Sequence, residues 1–301
     1  MRLLDRLLAG QFDVGPVVTD RGMAVKKSLV GSQLVVADNV ADYYHRFKSE
    51  EAPTLTDFPT VMLPFEKTFV EAKFHRVISN AFILESAGIL LAMESPISLP
   101  DEMSQWLHGP SVKWHLHGIL FVQFRGEDPK LMSDFVIPLN NDGGVIPIAE
   151  GDERISFAVQ SVNTVRGIPI MESGEFQVSL LSVPLPALLM AISFMHCRNV
   201  KVMAEQPPEK LSKKYERKTG RPLLKYRLLQ IDHMKQVLER EGGASSQGLK
   251  KALHICRGHF KHYGRDGKGL LFGKHAATVW ISMHARGSAE EGVVVKDYDV
   301  K

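Results

Sequence analysis

The chain has 301 residues, 44% apolar and 24% charged, enough to bury a real core in one large or two ordinary domains. Two cysteines cannot build a disulfide framework, which points to a reducing, cytoplasmic compartment. The net charge of +3 excludes a uniformly basic or acidic chain but hides a strong asymmetry.

The opening "MRLLDRLLAG" reads as a helix over Arg2–Leu8, too broken and too charged for a secretory h-region. A strand is expected within residues 29–37, then a helix over 38–51 opened by Asp38, then a proline-punctuated extended linker. From Thr68 to about Leu180 the texture is β-rich. The runs "FVEAKF", "AFILES", "GILLAMES", "VKWHLHGILFVQF", "DFVIPL", "ISFAVQSV" and "GEFQVSLLSV" alternate with turn residues, and Asn141-Asp142-Gly143-Gly144 is the strongest turn signal. Apolar residues nearly all round predict a buried helix over Ala187–Cys197, short of the roughly 20 residues needed to span a bilayer. A strand at "NVKVM" and a basic helix in "PPEKLSKKYERKTG" follow, the helix stopped by Gly220 and Pro222. The strand candidates "PLLKYRLLQI", "ALHICRGHFKHY" and "AATVWISMHARG" close the chain, joined by glycine-rich connectors. The expected fold is α+β: a β-rich antiparallel N-terminal region, 1–183, followed by a helix-plus-antiparallel-sheet C-terminal module, 184–301.

Charge divides the chain differently from texture. Residues 1–197 hold 15 Lys+Arg against 23 Asp+Glu, whereas 198–287 hold 20 against 7 and the last fourteen hold 2 against 4. A net of +13 over 90 residues is the footprint of a polyanion binder, set against the plainer reading of a solvated lysine-rich face. The expected partner is RNA or single-stranded nucleic acid, with an acidic protein partner as the alternative and no membrane role. Docking of the acidic half on the basic half would also explain the asymmetry. The residues expected to touch nucleic acid are Lys213, Lys214, Arg217, Lys218, Arg221, Lys274 and Arg286, with Trp280 stacking on bases.

Five of the twelve histidines lie between His254 and His284. If 253–263 is one strand, alternation puts Arg257, His259, Lys261 and Tyr263 on one face, with Gly258 as a bulge candidate. These residue types suit metal-free phosphodiester cleavage. His259 would be general base or acid, His284 or His262 its complement, and Arg257 and Lys261 the phosphate clamp, with Tyr263 alongside. The plainer reading is half-buried packing or phosphate contact without chemistry. A zinc site from His254, Cys256, His259 and the His196-Cys197 pair lacks finger spacing, so no metal and no cofactor are expected. Cys197 reads as a small buried residue. His115-x-His117 lacks the glutamate of a cupin and reads as two histidines on the exposed face of a strand. Gly220-Arg221-Pro222 lacks the first half of an AT-hook, and no GxxxxGK[ST], GxGxxG or GxSxG motif is present.

The phrases "PPEKLSKKYERKTGRPLLKY", "HICRGHFKHY", "LLFGKH" and "WISMHARG", in that order, resemble a group of uncharacterised phage- and prophage-associated bacterial proteins. Their C-terminal signature has the form HxCRGHFxxY…LFG…W…HxRG, and "LPFEKTFVEAKF" is a weaker echo of the same group. The resemblance carries no assigned activity; it implies a mobile-element setting, where nucleases, toxins and counter-defence proteins are common. The order of helix and antiparallel sheet is similar to small metal-independent ribonuclease toxins at the level of fold alone.

Overall fold

A computed structural model of the chain describes residues 2–12, 25–45, 55–79, 82–94, 112–146, 184–231, 252–256, 259–264, 276–281, 284–286 and 288–293. They are α+β and strand-rich, and divide into two units. The first takes residues 1–195 and 202–229, the second 196–201 and 230–301. The sequence reading grouped everything after 183 with the C-terminal strands; the helices over 184–195 and 209–219 instead belong with the N-terminal sheet.

The first unit is built on a seven-stranded sheet. Its labelled elements are α1 (Leu3–Leu8), β1 (Gln33–Val36), α2 (Asp38–Tyr44), β2 (Lys67–Ser79), β3 (Phe82–Glu94), β4 (Trp114–Phe124), β5 (Lys130–Leu139), α3 (Pro184–Met195), β6 (Val200–Glu205), α4 (Glu209–Thr219) and β7 (Tyr226–Ile231). The strand order is β5-β4-β3-β2-β1-β7-β6. Strands β2 to β5 form an antiparallel meander, as their short spacing predicts. Strand β1 departs from that expectation: it runs parallel to both β2 and β7, with α2 in the β1–β2 crossover.

Both faces of the central strands are buried. One face carries Phe69, Leu90 and Phe121 in a cluster with Leu3, Leu4, Leu7 and Leu8 of α1. On the other, Val70, Ile89, Leu91 and Leu120 are fully enclosed. The two runs "AFILES" and "GILLAMES" form one thirteen-residue strand, β3. Gly88 does not break it; a Cβ there would lie 2.6 Å from the Phe69 ring and 3.0 Å from Leu3, so its role is the close approach of α1 to the sheet. Helix α3 starts at Pro184 and buries every residue through Phe194, packing on α2, β2 and β3. The Asn141–Gly144 turn forms as expected. Gly143 has φ +81°, and the Asn140 side chain accepts the Asp142 and Gly144 N–H groups, each at 2.9 Å. The runs at 155–162 and 174–183 lie outside the described residues.

Glu71 joins three elements of this unit. Its Oε2 accepts the Leu4 N–H at 2.8 Å, capping the first turn of α1, and Arg2 Nη1 stands 3.7 Å from Oε1. Its backbone carbonyl accepts the Ala37 N–H at 2.9 Å, just before α2. Burial raises the Glu71 carboxyl from 4.5 to about 7, against the lowering effects of the Leu4 N–H and the Arg2 charge.

The second unit contains β8 (Ala252–Cys256), β9 (His259–Tyr263), β10 (Ala277–Ile281), β11 (His284–Arg286) and β12 (Ser288–Val293). Strands β9 and β10 pair antiparallel, while β8 pairs antiparallel with β11 and parallel with β12. The single strand expected over 253–263 is thus two strands, β8 and β9, in different sheets.

The raised carboxyl of Glu71 makes stability pH-dependent in a defined direction. The folded chain keeps a proton that the unfolded chain releases, so this group's contribution falls as pH rises from about 4.5 to about 7. The slope approaches about 1.4 kcal/mol per pH unit at most. Glu71→Gln keeps an acceptor for Leu4 and is expected to flatten this part of the stability curve, measured by urea unfolding at several pH values. An identical pH dependence in the two proteins would contradict the assignment.

Candidate nucleic-acid interface

Helix α4 is a basic element held to its unit by a polar stripe. Among its residues Ser212, Tyr215 and Thr219 are half-buried, at spacings of three and four, and none is buried. Tyr215 donates its hydroxyl to the Asp5 carbonyl at 2.8 Å, and Ser212 Oγ accepts the Leu223 N–H at 3.1 Å. Gly220, at φ +77°, ends the helix in the left-handed conformation, its N–H bonded to the Glu216 carbonyl. Glu209 in the first turn and Arg217 and Lys218 in the last complement the helix dipole.

With that stripe turned inward, Lys210, Lys213, Lys214, Arg217 and Lys218 are all exposed, and Arg221 just beyond the cap is half-buried. Lys213 meets Glu209 at 2.6 Å, an exposed i,i+4 pair that a phosphate can displace cheaply. Four of the expected nucleic-acid contacts therefore lie on one exposed helix, with Arg221 after it. Lys274 lies outside the described residues; for Arg286 the structure describes the backbone in β11, opposite His254.

In β9, His259, Lys261 and Tyr263 share a face, as alternation predicts, with His259 and Lys261 exposed and Tyr263 half-buried. The Lys261 ammonium lies 4.7 Å from the Tyr263 ring centroid. His262 points to the opposite side of the ladder, where its Nδ1 is 3.1 Å from Thr278 Oγ1. A proton-transfer pair of His259 and His262 on one face is therefore not formed, because residues three apart in a strand face opposite ways. His284 sits in β11, opposite Cys256 in a different sheet from β9, and Arg257 lies outside the described residues.

Trp280 is the clearest departure from expectation. It is 1% exposed, stands opposite Phe260 in the β9–β10 ladder, and meets that ring edge-on at 4.7 Å. A ring so enclosed offers no face to a base. Its backbone is held by Asn199, whose Oδ1 accepts the Trp280 N–H at 2.8 Å and whose amide donates to the Trp280 carbonyl at 2.7 Å. The neighbouring Arg198 N–H donates to the Thr278 carbonyl at 3.0 Å, so residues 198–199 run along β10. His115 likewise departs: it is fully buried in β4 rather than on an exposed face. Cys197 is buried, and burial pushes its thiol up to about 12.

A second polar site escaped the sequence reading. A cleft of about 730 Å³ in the first unit is lined by Arg2, Asp5, Glu71, Lys73 and His75, and reaches Lys218 of α4. A signal for it was present in "FVEAKF", where Glu71 and Lys73 follow Phe69 on the core-facing parity of a strand.

No protein-family model matches the chain, and no curated protein matches it. Among the described residues no helix is long and apolar enough to cross a membrane.

Asn199→Ala leaves the buried Trp280 N–H and carbonyl without these partners. A loss of about 2–4 kcal/mol is expected for the second unit, read by near-ultraviolet circular dichroism of Trp280 during urea unfolding. A change under about 0.5 kcal/mol would contradict the clamp.

Proposed function

We propose that the protein binds RNA or single-stranded nucleic acid through the solvent face of α4. The observation that carries this reading is a helix with no buried residue and five exposed cations, docked by hydroxyls so that its charge faces water. Backbone phosphates attract such a face through Coulomb forces and counterion release, without regard to sequence. The two-cysteine composition fits action in the cytoplasm, and the likeness of the C-terminal phrases to phage and prophage proteins fits a role in mobile-element biology. A basic face docking an acidic protein is the alternative within this reading.

A catalytic reading has one observation in its favour: His259 and Lys261 are exposed side by side on one face of β9, next to Tyr263. In a metal-independent ribonuclease, His259 would take the 2′-hydroxyl proton as that oxygen attacks phosphorus, or give a proton to the departing 5′-oxygen, while Lys261 holds the phosphate. The complementary acid or base would have to be a group other than His262, which faces away.

The test is a titration of fluorescent single-stranded RNA at several salt concentrations. Replacing Lys213, Lys214 and Arg217 together by Gln is expected to weaken binding at least tenfold and lower the log–log salt slope by about 2. Unchanged affinity and slope would refute the α4 reading, and selective binding of an acidic protein in place of RNA would move it to the alternative. On the same RNA, end-labelled and in EDTA, cleavage abolished by His259→Ala supports the catalytic reading; no cleavage by either protein removes it.

A further inference from the structure

We propose that the cleft bounded by α1, β2 and the start and end of α4 is a binding site for a phosphomonoester of nucleotide size. Its volume, about 730 Å³, lies inside the range of about 300–1,000 Å³ typical of small-molecule sites. The cleft's ligand preference follows from the hydrogen-bonding capacity that its walls have already used. All four carboxylates in its wall accept from the protein's own N–H groups. Glu71 takes the Leu4 N–H at 2.8 Å, Asp5 the Leu224 N–H at 3.2 Å, Asp38 the Lys73 N–H at 2.9 Å, and Glu85 the Gln123 amide at 3.2 Å.

The cations are used differently. Arg6 is committed to Asp128 at 2.6 Å, but the ammonium groups of Lys73 and Lys218 have no partner among the described residues. The Arg2 guanidinium makes a long contact to Glu71, 3.7 Å, and its carbon stands over the Tyr226 ring, 3.9 Å from the centroid. A guanidinium has five donors, and stacking fixes its plane without consuming them. The cleft therefore holds cationic donors with no partner among the described residues, while each carboxylate already accepts one donor from the protein. An acceptor-rich dianion such as a phosphomonoester can take up those donors.

The β2 backbone adds a constructed feature at the rim. His75 has φ +48° where the β2–β3 register shifts between Lys73 and Arg76, and it lines the cleft. Lys73 and His75, two residues apart, both line the cavity, and the irregularity falls just where β2 leaves it. Left-handed backbone at a non-glycine residue is held against a conformational cost, and such positions cluster at ligand sites. The free metabolite and the 5′-phosphorylated end of a nucleic acid present the same group, and both fit this chemistry.

The cleft shares Lys218 with α4 but rests on Lys73 and Arg2, which lie off that helix, and the experiment keeps the two apart. Calorimetric titration of the full chain with adenosine 5′-monophosphate is expected to show saturable binding. Lys73→Ala is expected to weaken it tenfold or more, Lys73→Arg to restore it, and Arg2→Lys to weaken it by loss of the stacked planar fork. The triple substitution at Lys213, Lys214 and Arg217 is expected to leave this affinity unchanged. Comparing 5′-phosphorylated with 5′-hydroxyl oligonucleotides assigns the source: preference for the phosphorylated end indicates a nucleic-acid terminus, and equal binding with retained nucleotide affinity indicates a free nucleotide. No binding of either nucleotide or phosphorylated end, or binding indifferent to Lys73→Ala in a folded variant, would overturn the proposal.

Discussion

The first unit is organised around one buried carboxylate. Glu71 sits in the middle of the central strand β2, caps α1 through Leu4, faces Arg2, and offers its carbonyl to Ala37 at the entry of α2. A group like this is unfavourable to bury unless its acceptors are met, and here one N–H and one nearby guanidinium meet them. The placement of α1 follows. Leu3, Leu4 and Leu7 reach the Phe69 and Leu90 face of the sheet because the first turn is pinned at Glu71 and because Gly88 leaves room beneath it. Helix α4 follows in turn, since Tyr215 hangs from the Asp5 carbonyl at the same end of α1.

That chain of contacts explains how an acidic region and a basic segment share one unit without cancelling. The basic helix is attached by hydroxyl groups and a half-buried tyrosine rather than by ion pairs. Its cations are left for solvent, apart from an exposed Lys213–Glu209 pair of small energetic weight. The cleft between α1, β2 and the ends of α4 shows a related pattern: each of its carboxylates accepts from a backbone or amide donor, while Lys73 and Lys218 extend without a partner among the described residues. Both features leave positive charge available and negative charge engaged, which is the electrostatic condition for holding phosphate.

Much of this was legible in the sequence, for identifiable reasons. Alternation located β2, β4 and β5, the Asn-Asp-Gly-Gly run gave its turn, and Pro208 with Gly220 bounded α4 closely. Other features needed tertiary information. "AFILES" and "GILLAMES" read as two strands but form one, and the glycine that opens the second run marks close packing that only the position of α1 reveals. The charge change near residue 198 lies beside the unit boundary at 195–196, but the basic helix α4 returns to the first unit, docking through Ser212, Tyr215 and Thr219, which carry no charge. Trp280 and His115 were placed at surfaces by parity alone. Parity says which residues share a face, and burial depends on what covers that face, as Phe260 and the Asn199 segment do beside Trp280. The histidine cluster divided for the same reason, since β8 and β9 enter different sheets.

The central claim, that α4 is the surface on which nucleic acid is held, is tested most directly by hydrogen–deuterium exchange of the full chain with and without saturating single-stranded RNA. The account predicts slowed exchange concentrated in residues 209–221, the helix and its C-terminal cap. Slowed exchange in β9 and β10 with none in α4 would contradict it and move the interface to the face that carries His259 and Lys261.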